Sequence, residues 1–168
     1  MKVEREFKDN ELFLYLGKEY KLKIIKDKFE EVYIEDDKII VKVKNTEKEY
    51  IQGILKWWYK RESEIIVRKR IDYLKKNNKV IGSLSPSIVK VKEQKRRWGS
   101  CTSQKKIYIN SKISMAKISS IDYILVHEFS HLVHMNHSKE FYDLVKKIMP
   151  SYKNEEEWLK ENSYKVRL

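Results

Sequence analysis

All four histidines of this 168-residue chain, His127, His131, His134 and His137, fall within eleven positions. Two of them frame the segment His127-Glu128-Phe129-Ser130-His131. Apolar residues at Ile121, Ile124, Leu125, Phe129 and Leu132 recur around it at helical spacing, which predicts a helix over about 120–135 with Ser119 or Ser120 as its N-cap. Residues four apart on a helix stand one turn above each other. Two imidazoles so placed can hold a single Zn²⁺ at about 2.0–2.1 Å each, and the Glu beside the first can face the ion's water. A catalytic zinc takes three protein ligands and keeps one position open. On a continued helix His134 would stretch three ligands over about 10.5 Å of axis, a poor way to surround one ion. His137 follows Met135-Asn136, and Asn readily ends a helix in the left-handed conformation. A chain that turns there brings His137 back to the metal. His137 is therefore the expected third ligand, and His134 is expected behind the ligands or at the surface.

Composition narrows the classes. The chain carries 37 Lys+Arg against 25 Asp+Glu, one Cys, and 41% hydrophobic residues of which many are aromatic, so it is not a disordered segment. One cysteine excludes a disulfide scaffold and a four-cysteine zinc site. No run of about 18 apolar residues is present, and residues 1–6 are too charged for a signal peptide, so a cytoplasmic protein without membrane contact is expected. The charge is uneven: residues 1–50 carry −1, residues 51–100 carry +10 and residues 101–168 carry +3. The basic 51–100 stretch is either a solvated helix face or a surface that attracts nucleic acid or another acidic partner.

Residues 12–44 read as short strands: Leu12-Phe13-Leu14-Tyr15-Leu16, Tyr20-Lys21-Leu22-Lys23-Ile24, Val32-Tyr33-Ile34 and Ile39-Ile40-Val41-Lys42-Val43. Gly17-Lys18 and Glu35-Asp36-Asp37-Lys38 supply turns, which predicts a small antiparallel meander. From a Thr46 N-cap, apolar positions through Ile51, Ile54, Leu55, Trp58, Ile65, Ile66 and Ile71 predict one long helix ending at Asn77-Asn78. Trp57, Trp58 and Tyr59 on it are either core or a base-stacking platform. Residues 82–86 read as a loop, and two strands follow at 88–92 and 106–110. Helices at 138–149, capped by Ser138 and closed by Pro150, and at about 154–161 complete the chain. The expected class is α+β, with an N-terminal β subdomain over 1–45 and a helix plus catalytic core over 46–168.

The motifs Arg97-Trp98-Gly99-Ser100-Cys101, Ile107-Tyr108-Ile109-Asn110, Ile121 through Glu128, Met135 through Phe141 and Met149-Pro150-Ser151-Tyr152 resemble the YgjP-like metallopeptidase domain. That family is related to the SprT-like proteases within the zincin superfamily. Looser likeness at Tyr15 through Tyr20 and Trp58 through Glu62 extends the resemblance over nearly the whole chain. It implies a zincin-like core whose zinc ligands are His127, His131 and His137, with Glu128 as the catalytic glutamate on an HExxH helix. Family members commonly carry more β-structure ahead of the part matching 11–20, which implies a shorter variant or a truncated chain.

The expected activity is hydrolysis of peptide bonds in a peptide or protein substrate, with one Zn²⁺ per chain, a metal-activated water and Glu128 as general base. Arg97, Ser100 or Tyr108 would stabilise the tetrahedral intermediate, and Asn110 is a further candidate substrate contact. The strand around 107–110 either pairs with an extended substrate or packs beneath the helix. Cys101 and Trp98 are expected to pack. The competing expectation is a nucleic-acid-associated protein with a structural zinc, and a combination of the two is a protease acting on DNA-bound proteins.

Overall fold

A computed structural model describes residues 4–168; residues 1–3, part of the charged start considered above, lie outside it. The first unit is a four-stranded sheet made of β1 (Leu12–Tyr15), β2 (Lys18–Lys26), β3 (Glu31–Glu35) and β4 (Lys38–Val43). Its order is β1-β2-β4-β3, so it is not the expected antiparallel meander. Hairpins join β1 to β2 and β3 to β4, but β2 and β4 run parallel, with Leu22 opposite Ile39 and Ile24 opposite Val41. The reason is a burial demand: Ile39, Ile40, Val41 and Val43 are all buried, as a strand flanked on both sides requires. Gly17, at φ +82°, lies so close to Lys117 that a Cβ would meet the Lys117 Cβ at 2.6 Å. The turn it forms with Leu16 docks by N–H donation to the carbonyls of Ser114 and Met115, at 2.7 and 3.0 Å.

The helix α1 (Lys48–Asn77) runs through both halves of the molecule. At 1.5 Å per residue its 30 residues span about 45 Å. Its N-cap is Glu47 rather than Thr46, and it makes no side-chain cap bond. Ile51, Leu55, Trp58 and Tyr59 pack with Phe13, Leu22, Ile39 and Val41 of the first sheet. Further along, Val67, Ile66, Ile71 and Leu74 join a second core. Between the two, Ser63 Oγ accepts from the Ser114 N–H at 3.0 Å and donates to the Ser111 carbonyl at 2.9 Å, while Ser114 Oγ donates to the Tyr59 carbonyl at 3.1 Å. Asn78 ends α1 and caps the short α2 (Lys79–Gly82), which takes in only the first residue of the loop expected over 82–86; residues 83–86 are that loop.

The second sheet contains β5 (Ile88–Lys92), β6 (Gly99–Cys101) and β7 (Lys106–Asn110) in the order β5-β7-β6, with β5–β7 parallel and β6–β7 antiparallel. Ile107 and Ile109 face α3 (Ile118–Ser130), which is buried on nearly every side. α4 (Lys139–Ile148) and α5 (Tyr152–Asn162) pack on it. Neither Ser119 nor Ser120 is the N-cap of α3; that position is Lys117. Both hydroxyls instead donate to Glu155 of α5, at 3.0 and 2.8 Å, and Lys117 Nζ lies 3.3 Å from the same carboxylate. A carboxylate from a neighbouring helix thus meets the positive end of α3. The architecture is α+β, with two small mixed sheets and five helices among the described residues.

Candidate metal centre

α3 is helical through Ser130, so His127 and Glu128 lie in its last turn and His131 is its C-cap. The chain then turns instead of continuing as a helix to 135. His137 immediately precedes Ser138, whose Oγ accepts the Phe141 N–H at 3.3 Å and starts α4, as the sequence indicated. That start also sets Phe141 in place. The fully buried Phe141 ring stacks on His131 at 4.4 Å between centroids and meets the edges of His127 and His137 at 4.9 and 5.1 Å. One aromatic ring is therefore the floor under three imidazoles.

The three Nε2 atoms converge. His131 and His137 are 3.0 Å apart there, and His137 and His127 are 3.2 Å apart. A tetrahedral ion bound at 2.0–2.1 Å spaces its ligand atoms about 3.3 Å apart, so the group fits a metal with only small adjustment. Among the described residues this trio is the group of His, Cys, Asp or Glu side chains that meets the geometry of a metal site. His134 contributes through its main chain: its carbonyl accepts from His131 Nδ1 at 3.0 Å. Because a carbonyl only accepts, His131 carries its proton on Nδ1 and presents a lone pair at Nε2. Burial and the neighbouring histidines lower His127 to about 4, and burial lowers His131 as well, so both rings are neutral at pH 7, the form that ligates metals.

Glu128 is buried, and its Oε2 has no hydrogen-bond partner. Burial raises its carboxyl to about 7, partly opposed by the Arg97 guanidinium. The three converging imidazoles could hold a metal ion, and the buried, unpartnered Glu128 oxygen belongs to the residue that follows the first of them.

The remaining candidates separate by sheet face. Gly99 pairs with Ile109, and a Cβ on Gly99 would lie 3.1 Å from Glu128 Cγ and 3.3 Å from Cδ. Gly99 thus leaves the space that Glu128 occupies, a role that was missed although its place within Trp98-Gly99-Ser100 in a chain with four glycines was visible. Cys101 shares that face; burial pushes its thiol up to about 11, so it stays protonated at neutral pH. Strand alternation turns Ser100 and Tyr108 to the other face, where Lys92 Nζ sits 3.9 Å from the Tyr108 ring centre. Asn110 is buried and fully engaged: its amide donates to the carbonyls of Gln94 and Arg97 at 3.0 and 2.9 Å, and its oxygen accepts from the Lys112 N–H. It holds the 94–97 loop, and with it Arg97. β7 is paired on both sides, so of the two readings for 107–110 only packing beneath α3 agrees with the sheet order. The edges of this sheet are β5 and β6, and β6 is the one beside Glu128.

The basic stretch is partly structural. Arg70 makes a bidentate pair with Asp122 of α3 at 2.8 Å for each bond, and Arg61 lies over the Trp57 ring. Trp58 and Tyr59 are core, which leaves Trp57 alone exposed and dismantles the stacking platform. No helix among the described residues is long and apolar enough to cross a membrane.

The YgjP-like metallopeptidase domain matches residues 1–162. The chain belongs to the YgjP-like metallopeptidase family. Membership makes it a peptidase with a metal cofactor and favours peptide or protein substrates over the nucleic-acid alternative. Among solved structures it is similar to the metallopeptidase zymogen of Pyrococcus abyssi abylysin, at 20% identity and a TM-score of 0.48 over 56% of this chain and 93% of that one. No curated protein matches it.

Proposed function

We propose that this metallopeptidase is a zinc enzyme in which His127, His131 and His137 hold the ion and Glu128 is the general base. The observation that carries the reading is the convergence of three Nε2 atoms, with the buried and unpartnered Glu128 Oε2 on the residue that follows His127 along α3. Imidazole ligands in a closed trio suit zinc among the common divalent ions. Zinc held there supplies Lewis acidity, which lowers the pKa of water toward about 7 and polarises a carbonyl oxygen. Glu128 receives a proton at Oε2 and returns it to the departing amine; a carboxyl raised to about 7 is matched to that exchange. Arg97, the cation that acts on Glu128, is the best placed of the intermediate-stabilising candidates, since Ser100 and Tyr108 face away from α3. An extended substrate would pair with the free edge of β6 (Gly99–Cys101), next to Glu128.

The test compares wild type with Glu128→Gln. Wild type is expected to contain one zinc per chain and to cleave an unfolded protein substrate. Glu128→Gln should keep the zinc and lose cleavage by about 10³-fold, as expected for loss of a general base. Purified wild type that takes up no zinc, or a variant that cleaves normally, overturns the reading.

A further inference from the structure

The three imidazoles are not held alike. His131 is fixed by a main-chain carbonyl, and His137 lies against Phe141 and Tyr142. His127 instead has a side-chain relay behind it. Its Nδ1 lies 3.5 Å from the Tyr123 hydroxyl, one turn earlier on α3, and that hydroxyl donates to Glu156 Oε1 of α5 at 2.7 Å. The phenol carries one hydrogen. Given to Glu156, it leaves only oxygen lone pairs to face His127.

We infer that Glu156, acting through Tyr123, sets the tautomer of His127, which makes both of them positioning residues for the metal ligand. The inference rests on the reading of His127 as a ligand. With the phenol hydrogen held by a carboxylate, the favourable partner for Tyr123 Oη is an Nδ1–H, and the His127 lone pair then falls on Nε2, 3.2 Å from His137 Nε2. With Glu156 absent, the hydroxyl is free to rotate and donate to Nδ1. That moves the imidazole proton to Nε2 and blocks the coordinating atom. The Glu156 contact at 2.7 Å fixes the direction of the phenol hydrogen, and so which face of the hydroxyl is turned to His127 Nδ1. Neighbouring carboxylates of α5 thus serve two places on α3: Glu155 its first turn, Glu156 its ligand-bearing end.

Two measurements test this. The first is ¹⁵N NMR of the His127 ring in metal-free protein; the second is zinc affinity by competition with a chromophoric chelator. Wild type should show the Nδ1–H tautomer, and Glu156→Ala should shift the population toward Nε2–H. Glu156→Ala and Tyr123→Phe should each weaken zinc binding by about tenfold or more, the range seen when a ligand loses its outer partner. The double variant should be no worse than the weaker single one, because the two act in series. Glu156→Gln, whose amide oxygen still accepts from the phenol, should restore most of the affinity. Tyr152→Phe, which keeps the ring stacked on Tyr123, should bind like wild type. An unchanged tautomer in Glu156→Ala, or unchanged zinc affinity in both single variants, overturns the relay. The tautomer measurement needs no metal, so a wild type that fails to bind zinc while its tautomer answers to Glu156 refutes the zinc reading and leaves the relay standing.

Discussion

The two sheets follow one plan, a parallel pair with antiparallel neighbours, yet their cores differ in kind. Around the four-stranded sheet the buried side chains are Phe7, Phe13, Leu14, Leu22, Ile39 and their apolar neighbours. Around the three-stranded sheet, burial also takes in Asp122, Glu128, His131 and Glu155. Three of these four have partners: Asp122 has Arg70, His131 has the His134 carbonyl, and Glu155 has two hydroxyls and Lys117. Glu128 Oε2 has none. The first core is an apolar support, whereas the second side leaves Glu128 Oε2, at the place where chemistry is proposed, and Gln94 Nε2 without partners. The difference shows where this fold gives up stability.

Breaking the apolar side should have the largest effect. Phe13→Ala removes a fully buried ring, which costs about 3–5 kcal/mol, so its urea midpoint should drop sharply while zinc affinity of the folded protein stays within experimental error. Loss of zinc binding in that variant would show that the two cores are not functionally separate.

The orphaned carboxyl gives the next effect. Folded Glu128, at about 7 against 4.5 for the free group, holds its proton more tightly than in the unfolded chain. Its contribution to stability is therefore fully present below about pH 4.5 and is lost as pH rises through 7. At 1.36 kcal/mol per pKa unit, metal-free Glu128→Gln should be more stable than wild type by about 3 kcal/mol at pH 8, with the gap closing toward pH 4.5. His127 works in the opposite sense. Lowered from 6.5 to about 4, it contributes stability that is present above 6.5 and lost as pH falls through 4. Chemical denaturation of the metal-free proteins between pH 4 and 8 reads both slopes, and a pH-independent difference between wild type and Glu128→Gln would contradict the assignment.

Gly99→Ala tests the space around the same group. The new Cβ forces Glu128 or β6 to move by a few tenths of an ångström, which should lower kcat by about tenfold with zinc affinity preserved. The smallest effect is expected at His134→Ala. Its imidazole is not the group that orients His131, so zinc affinity should be unchanged, and a large loss would mean that the side chain itself reaches the ion.

Much of this contrast was legible in the residues. The spacing of His127, His131 and His137 carried the trio, because helical periodicity is local; the stop was expected at Met135-Asn136, but α3 ends already at Ser130, and Asn136 does not take the left-handed conformation. The strands around Leu12, Leu22, Val32 and Val41 were visible for the same reason. Their parallel β2–β4 neighbourhood was not, since alternation marks a strand and its faces but not its partner. β6 has three residues, too few to show alternation, so the central place of β7 and the outward turn of Tyr108 stayed hidden. Ser119 and Ser120 have the composition of caps, but their partner Glu155 lies some 35 residues away, beyond any local rule.

The helix α1 has a consequence for how the molecule comes apart. Its first half belongs to one core and its second half to the other, and the hydroxyls of Ser63 and Ser114 fasten the junction. Neither half of the protein can open without exposing apolar residues of a helix that the other half still needs. Calorimetry should therefore record a single melting endotherm, and amide exchange along α1 should report one shared opening free energy from Ile51 to Leu74. Two sheets with different contents thus melt as one cooperative body.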